Sequence, residues 1–240
     1  SQYDQIAKHP SFKNNSIDPE VLKLYFSQHF MPAPYGLLES TYQIIPGEIV
    51  TFDYRGNKIH NRYWELSSNN SYSINDSKIA LEYIDESLNN AVKAELVSDV
   101  PISAFLSGGI DSPLICYYAQ KHLGNPLNAV SIGSNSVVHD ETLKAKEYGY
   151  LIGVNHNSIK VDGKSVLDML SDIINSIREP FADISLIPTF IASKIAKENG
   201  SVVLSGDGGD ELFFGYERFS SIAKNIRIQN YPHLIKYGIY

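Results

Sequence analysis

Ser107-Gly108-Gly109-Ile110-Asp111-Ser112 joins a short apolar run to an amphipathic segment and decides the predicted fold. Residues 102–106 are apolar enough for a buried strand, and residues 112–122 have the apolar spacing of a helix. Two glycines at such a junction let the backbone turn tightly and approach a ligand, and a helix N-terminus presents free N–H groups to an anion. This stretch, the first loop, is therefore predicted to bind phosphate groups.

The presence of Asp111 extends this prediction to a bound metal ion. A carboxylate beside bound phosphates repels them unless a cation lies between, and Mg²⁺ is the cation that usually bridges carboxylates and phosphates. The alternative is an ordinary turn in which Ser112 only caps the following helix.

A second glycine-rich stretch, Ser205-Gly206-Asp207-Gly208-Gly209-Asp210-Glu211, follows the apolar residues 202–204. Three glycines and three acids make a poor core and a poor helix, but they suit a loop whose backbone contacts a nucleotide and whose carboxylates contact a metal. This stretch is the second loop. Asp111 and Asp210 are predicted to hold Mg²⁺ between the two loops.

Strands and helices are predicted to alternate from residue 102 onward. The predicted strands are 102–106, 128–132, 156–161 and 202–204. The predicted helices are 112–122, 140–152, 165–177 and 188–198. This alternation predicts an α/β fold, a parallel sheet with helices on both faces, and ligands at the carboxyl ends of the strands. Both loops lie at such ends.

The preceding part of the chain has a different pattern. A helix is predicted at 18–30, short antiparallel strands at 42–45, 48–54 and 59–64, and a long amphipathic helix at 77–97. Residues 67–75 are polar and predict a linker. The predicted division is therefore 1–66, a linker at 67–75, and 76–240.

Composition excludes some classes of function. The net charge of −7 argues against binding to nucleic acid, and no apolar run reaches the roughly 18 residues that span a membrane. The single cysteine, Cys116, rules out an internal disulfide and predicts a reducing, cytoplasmic location. Its apolar neighbours predict a buried helical thiol rather than a nucleophile.

The two loops, together with residues 179–183, residues 187–189 and Gly215-Tyr216, make the sequence resemble the asparagine synthetase family. These are glutamine-dependent amidotransferases with an N-type ATP pyrophosphatase domain. Residues 31–34, 45–48 and 62–64 are similar to the end of the family's glutaminase domain. The resemblance implies an adenine nucleotide alpha hydrolase-like (PP-loop) fold, with incomplete glutaminase and synthetase domains at 1–66 and 76–240.

The resemblance also implies ATP and Mg²⁺ as cofactors and assigns the site residues. Asp111 and Asp210 would bind the metal, and Asp207 would be the catalytic acid nearest the acyl substrate and the incoming ammonia. Leu106 and Ile132 would flank the adenine. The full set implied to bind ATP and pyrophosphate is Leu106, Ser107, Gly108, Gly109, Asp111, Ser112, Ile132, Ser205 and Gly206.

The activity that the resemblance implies is amidation of a carboxylate through an acyl-adenylate, with aspartate converted to asparagine and ammonia delivered by a glutaminase domain. Two alternatives remain open: amidation of a sugar acid or closure of a lactam, and a non-catalytic nucleotide-binding module. The family's glutaminases use an N-terminal cysteine where this chain has Ser1, so the chain alone is expected not to hydrolyse glutamine and to be inactive as a fragment. A homodimer is the oligomer that the resemblance allows for the whole enzyme.

Overall fold

The computed structural model describes residues 3–66, 74–134, 140–198 and 200–229. The chain divides into two compact units, one formed by Ser1–Ala80 with Gly163–Phe190 and the other by Leu81–Asp162 with Ile191–Tyr240. Most of the predicted linker, residues 67–73, lies outside the described residues. The division at 67–75 therefore stays a prediction.

Ten helices and six strands occur among the described residues. The helices are α1 Tyr3–Lys8, α2 Pro19–Gln28, α3 Ser77–Glu95, α4 Asp111–His122, α5 Thr142–Ile152, α6 Gly163–Asp168, α7 Leu170–Ser176, α8 Leu186–Ala196, α9 Gly209–Phe213 and α10 Glu217–Gln229. The strands are β1 Glu48–Phe52, β2 Lys58–Arg62, β3 Ile102–Phe105, β4 Asn128–Ser134, β5 Asn155–Val161 and β6 Val202–Leu204. None of the helices in this part of the chain is long and apolar enough to cross a membrane.

A four-stranded parallel sheet, flanked by helices, organises the second unit and confirms the predicted α/β class. Its strand order is β5-β4-β3-β6. The chain runs from β3 outward through β4 to β5 and then returns to place β6 on the other side of β3. The strand order thus reverses direction at β3, and in sheets of this kind the crevice at the carboxyl ends beside the reversal is where ligands bind.

Small side chains let the helices approach this sheet closely. Ala104 of β3 and Ala129 of β4 are buried in one cluster with Cys116 and Ala119 of α4 and Ala145 of α5. Close packing of this kind fixes the start of α4 relative to the end of β3, because little space is left for adjustment. The first loop is therefore anchored at both ends by the core.

The first unit contains a well-capped helix and an antiparallel pair of strands. The Asp18 carboxylate accepts hydrogen bonds from the N–H groups of Glu20 (2.9 Å) and Val21 (3.3 Å), and Pro19 occupies the first helical position, so α2 begins where its sequence favours a start. β1 and β2 pair in antiparallel register, as predicted.

Two predicted elements are wrong. Residues 42–45 form no strand, because the pairing there stops at one isolated bridge between Tyr35 and Tyr42, beside which the Gln43 N–H donates to the Pro34 carbonyl at 2.9 Å. The predicted helix 165–177 is two helices, α6 and α7. The N–H of Met169 lies 3.3 Å from the Ser165 carbonyl and 3.2 Å from that of Val166, a tightened turn that interrupts the α-helical ladder.

Candidate functional site at two neighbouring loops

The first and second loops lie side by side, because they follow adjacent strands. Ala104 of β3 is in register with Leu204 of β6, so both chains leave the sheet at the same edge. A Cβ placed on Gly206 would lie 2.9 Å from the Asp111 Cβ and 2.9 Å from the Ser112 nitrogen. The backbone of the second loop therefore rests on the start of α4, and a glycine is required at that contact.

Hydroxyl groups close the first loop on itself. The Ser112 Oγ accepts a hydrogen bond from the Ser107 N–H at 2.8 Å and lies 2.8 Å from the Ser107 Oγ. The Gly109 N–H donates to the Ser107 Oγ at 3.2 Å. The N-cap position of α4 is Ile110, which makes no side-chain capping bond, so Ser112 does not act as a helix cap. Its hydroxyl shapes the loop instead.

The Asp111 carboxyl lies against the second loop, next to the residue that precedes Asp210. A Cβ placed on Gly209 would lie 2.5 Å from the Asp111 Cγ, and Gly209 directly precedes Asp210. Burial, and then the negative charge of Asp210, raise the pKa of the Asp111 carboxyl above its ordinary value. Repulsion between two carboxylates is unfavourable, and a hard cation bound by their oxygen atoms would relieve it.

The Asp111 and Asp210 carboxylates fit Mg²⁺ only in combination with other oxygen atoms. Among the described residues, no group of three or more His, Cys, Asp or Glu side chains is arranged to hold a metal ion. Mg²⁺ is commonly bound by one or two carboxylates together with substrate phosphates and waters. Asp111 and Asp210, next to a loop suited to phosphate, match that pattern.

Asp207 is presented to solvent at the tip of the second loop. The Ser205 Oγ donates to its carboxylate at 3.0 Å and accepts from its N–H at 3.4 Å. Farther along the chain, the Tyr216 hydroxyl donates to Glu211 at 2.7 Å, a bond that lowers the pKa of the Glu211 carboxyl. The Glu211 side chain thus stabilises the second loop, whereas the Asp207 carboxylate is exposed at its surface.

Leu106 and Ile132, which the resemblance implies to flank adenine, are both at least partly buried. The Leu106 side chain is only 2% exposed and belongs to the core of the sheet, and the Leu106 carbonyl accepts a hydrogen bond from the buried Ser131 hydroxyl. Ile132 is half-buried in β4. Contact of these two residues with adenine stays a prediction.

Cys116 is a structural residue, as its apolar neighbours indicated. Its side chain is fully buried in α4, and burial raises the pKa of the thiol to about 12. A thiol that stays protonated and inaccessible cannot act as a nucleophile.

The structure adds Glu141, which sequence reasoning assigned only to the start of a helix. Its carboxylate accepts a hydrogen bond from the Gly108 N–H at 3.0 Å, so it lies on the first loop. A Cβ placed on Gly108 would be 2.9 Å from the Glu141 Cβ. No local pattern in the sequence signals this contact, because it depends on where the start of α5 packs.

The class of protein follows from these observations: an α/β protein with two neighbouring glycine-rich, acidic loops at the point where its parallel sheet reverses strand order. A family model described as asparagine synthase matches residues 83–236. The chain belongs to the asparagine synthase family.

Similar proteins include two curated relatives. The chain is 34% identical, over 85% of its length, to the putative asparagine synthetase [glutamine-hydrolyzing] 2 of Methanocaldococcus jannaschii. It is 32% identical, over 83% of its length, to the asparagine synthetase [glutamine-hydrolyzing] 1 of Bacillus subtilis. The matches span 39% and 31% of the lengths of these relatives.

Among solved structures, the NMN synthetase from Francisella tularensis is similar over 56% of this chain and 58% of that chain, with 19% identity and a TM-score of 0.41.

Proposed function

We propose that the two loops form the synthetase site of an enzyme that amidates a carboxylate, converting aspartate to asparagine with ATP as the source of energy and glutamine as the source of ammonia. The observation that carries the proposal is the packing of Gly209, the residue before Asp210, on the Asp111 carboxyl beside a hydroxyl-closed loop at the strand-order reversal. Membership of the asparagine synthase family supports the choice of reaction.

The chemistry explains what such a site must hold. A carboxylate does not react with ammonia at neutral pH, because an oxide is a poor leaving group. When a carboxylate oxygen attacks the α-phosphorus of ATP, pyrophosphate leaves and the acid becomes an acyl-adenylate. Ammonia then attacks the acyl carbon, AMP leaves, and the nitrogen gives up a proton. The site therefore needs a cradle for pyrophosphate and a group that can accept a proton.

The first loop supplies the cradle. The N-terminus of α4 would present N–H groups to the β- and γ-phosphates. The Gly108 and Gly109 N–H groups, which bond Glu141 and the Ser107 hydroxyl, would bind phosphate only by exchanging those partners. The Ser107 and Ser112 hydroxyls hold the loop in place. Bound Mg²⁺ would neutralise the charge that develops on the departing pyrophosphate. Asp111 and Asp210 would hold the ion, and their mutual repulsion would be relieved by it.

The second loop supplies the groups nearest the reacting carbon. Gly206 adjoins the start of α4, and Ser205 and Gly206 would position the nucleotide, with Leu106 and Ile132 near the adenine. Asp207, oriented by the Ser205 hydroxyl, would orient the ammonia and accept its proton. No side-chain nucleophile is needed, which agrees with the burial of Cys116.

Because the chain alone is expected to be inactive, the decisive experiment uses the full-length enzyme that contains it. The enzyme is incubated with Mg-ATP, ammonium and each member of a panel of carboxylic acids, and AMP, pyrophosphate and amide are measured. Only aspartate should produce AMP and pyrophosphate in step with asparagine, and replacing ammonium by glutamine tests the donor separately. ADP and phosphate as products, or nucleotide cleavage that does not depend on the acid, would show the proposal to be wrong.

Asp207→Asn separates binding from chemistry in the same assay. Loss of a general base typically lowers the rate by about a hundredfold to ten-thousandfold, while the nucleotide still binds. Asp99→Asn is the matched control, because it makes the same change of charge at an exposed position of the same unit.

A further inference from the structure

Glu141 puts a negative charge where the proposed function requires an anion to bind. Its Oε2 atom lies 3.0 Å from the nitrogen of Gly108, at the centre of the first loop. Its side chain is exposed, so burial does not force it into this position.

Helix capping does not account for the contact. Glu141 occupies the N-cap position of α5 but makes no side-chain capping bond. The neighbouring Asp140 makes the hydrogen bond at this end of α5 instead. Its carboxylate accepts from the Thr142 N–H at 3.1 Å and pairs with the Lys160 ammonium at 3.0 Å. The side chain of Glu141 is therefore left for the loop.

The backbone geometry keeps Glu141 at this place. A Cβ on Gly108 would lie 2.9 Å from the Glu141 Cβ and 3.1 Å from the Lys144 Cβ, so the first turn of α5 packs directly on the loop. A carboxylate fixed this close cannot move far from the Gly108 N–H by backbone adjustment. It can leave only by rotating its own side chain.

We propose that Glu141 is a built-in competitor for the phosphate site of the first loop. An amide N–H carries a single proton, so a phosphate oxygen that binds the Gly108 N–H must displace the Glu141 carboxylate. The two anions also repel each other. Glu141 thus weakens the binding of pyrophosphate and of the ATP phosphates, and it speeds the release of pyrophosphate. This inference rests on the proposed function of the first loop.

Lys144 offers the displaced carboxylate a new partner. It lies three residues farther along α5, and residues at this spacing on a helix are neighbours that form ion pairs. Rotation of Glu141 from Gly108 toward Lys144 would open the loop and keep the carboxylate paired. The exchange needs no movement of the helix.

The test is calorimetric titration of the protein with magnesium pyrophosphate, the product alone, which requires no turnover. Glu141→Gln and Glu141→Ala should each bind pyrophosphate about tenfold more tightly than the wild type, the scale of a lost charged hydrogen bond. Their pyrophosphate dissociation rates, measured by stopped flow, should fall by a similar factor. Glu147→Gln is the matched control, because it removes the same charge from an exposed position of α5 and should leave both quantities unchanged.

The outcomes separate this inference from the proposed function. If the wild type binds and both Glu141 variants bind equally or more weakly, Glu141 is not a competitor, and the proposed site remains. If none of the proteins binds, or if Asp111→Asn binds pyrophosphate as well as the wild type does, the pyrophosphate site is not here and both proposals are overturned. Tighter binding that appears in both Glu141 variants and is lost when Asp111→Asn is added supports both.

Discussion

The two loops reach the same edge of the sheet, yet they are shaped in different ways. The first loop is closed by hydrogen bonds among its own residues, with the Ser112 hydroxyl accepting from the Ser107 N–H. The second loop is shaped by glycines, with Gly208 at a φ of 93° and Gly206 and Gly209 pressed against Asp111. Positive φ values and close approaches of this kind exclude most other residues.

This difference indicates that the two loops contribute to the site in different ways. Hydrogen bonds among its own residues hold the first loop in shape, whereas the lack of side chains at Gly206 and Gly209 lets the backbone of the second loop pack on Asp111. A change in the first loop should therefore loosen a preformed cradle. A change in the second should displace the Asp111 carboxyl, which is the larger effect.

Gly209→Ala should have the largest effect of the substitutions considered for the loops. The new Cβ would lie 2.5 Å from the Asp111 Cγ, so the Asp111 carboxyl must leave its position. A misplacement on the order of 1 Å can cost about a hundredfold, and we expect a loss of at least that size in magnesium-dependent ATP binding, measured by calorimetry. Gly124→Ala is the control, because a Cβ there would meet no atom within 4 Å. Unchanged binding by Gly209→Ala would mean that the contact between the loops is not needed.

Asp111→Asn should weaken magnesium-dependent ATP binding about tenfold or more without lowering stability, because it removes one ligand and one repulsive charge together. The pKa of Asp111 is raised above 3.8, so the folded protein keeps this proton to higher pH than the unfolded chain does. Ionisation of Asp111 therefore destabilises the fold as pH rises from about 3.8 through the raised pKa.

The Asp111→Asn variant should lack this loss of stability. Its midpoint of thermal unfolding should therefore rise relative to that of the wild type between acid and neutral pH. Asp99→Asn should follow the wild type throughout. A variant that is less stable than the wild type at neutral pH would show that Asp111 is held by favourable contacts rather than by a strained pair.

Ser112→Ala and Ser205→Ala compare the loops directly. Ser112→Ala leaves the part-buried Ser107 N–H without its acceptor and should lower the free energy of unfolding by about 1–3 kcal/mol. Ser205→Ala removes only a local, exposed bond to Asp207 and should cost less than about 0.5 kcal/mol. Urea unfolding measures both. Equal losses would mean that hydroxyl bonds matter no more in the first loop than in the second.

Cys116→Ala should have the smallest effect on the site. Cys116 lies in the core beneath the first loop, and loss of its sulfur should cost about 1 kcal/mol of stability with no change in ATP binding. Because burial raises the pKa of the thiol to about 12, iodoacetamide should label it only after denaturation. Rapid labelling of the native protein would show that the core under the loop opens readily.

Local patterns in the sequence predicted the sheet and both loops, and they failed where long-range contacts decide. The strands β3 to β6 begin and end close to the predicted residues, since apolar runs bounded by glycines are local signals. Residues 42–45 look like a strand but find no partner strand, and the helix predicted at 165–177 breaks at Met169. A strand is stable only when another strand pairs with it, and this is not a local property.

The sequence alone determined that two glycine-rich, acidic loops follow strands, that Asp111 and Ser112 stand at the start of a helix, and that Cys116 is buried. These features depend on spacing within a few residues. The tertiary structure decided that β6 lies beside β3, that Gly209 meets Asp111, and that Glu141 occupies the Gly108 N–H. Each of these contacts joins residues far apart in the chain, and only the strand order and the packing of α5 bring them together.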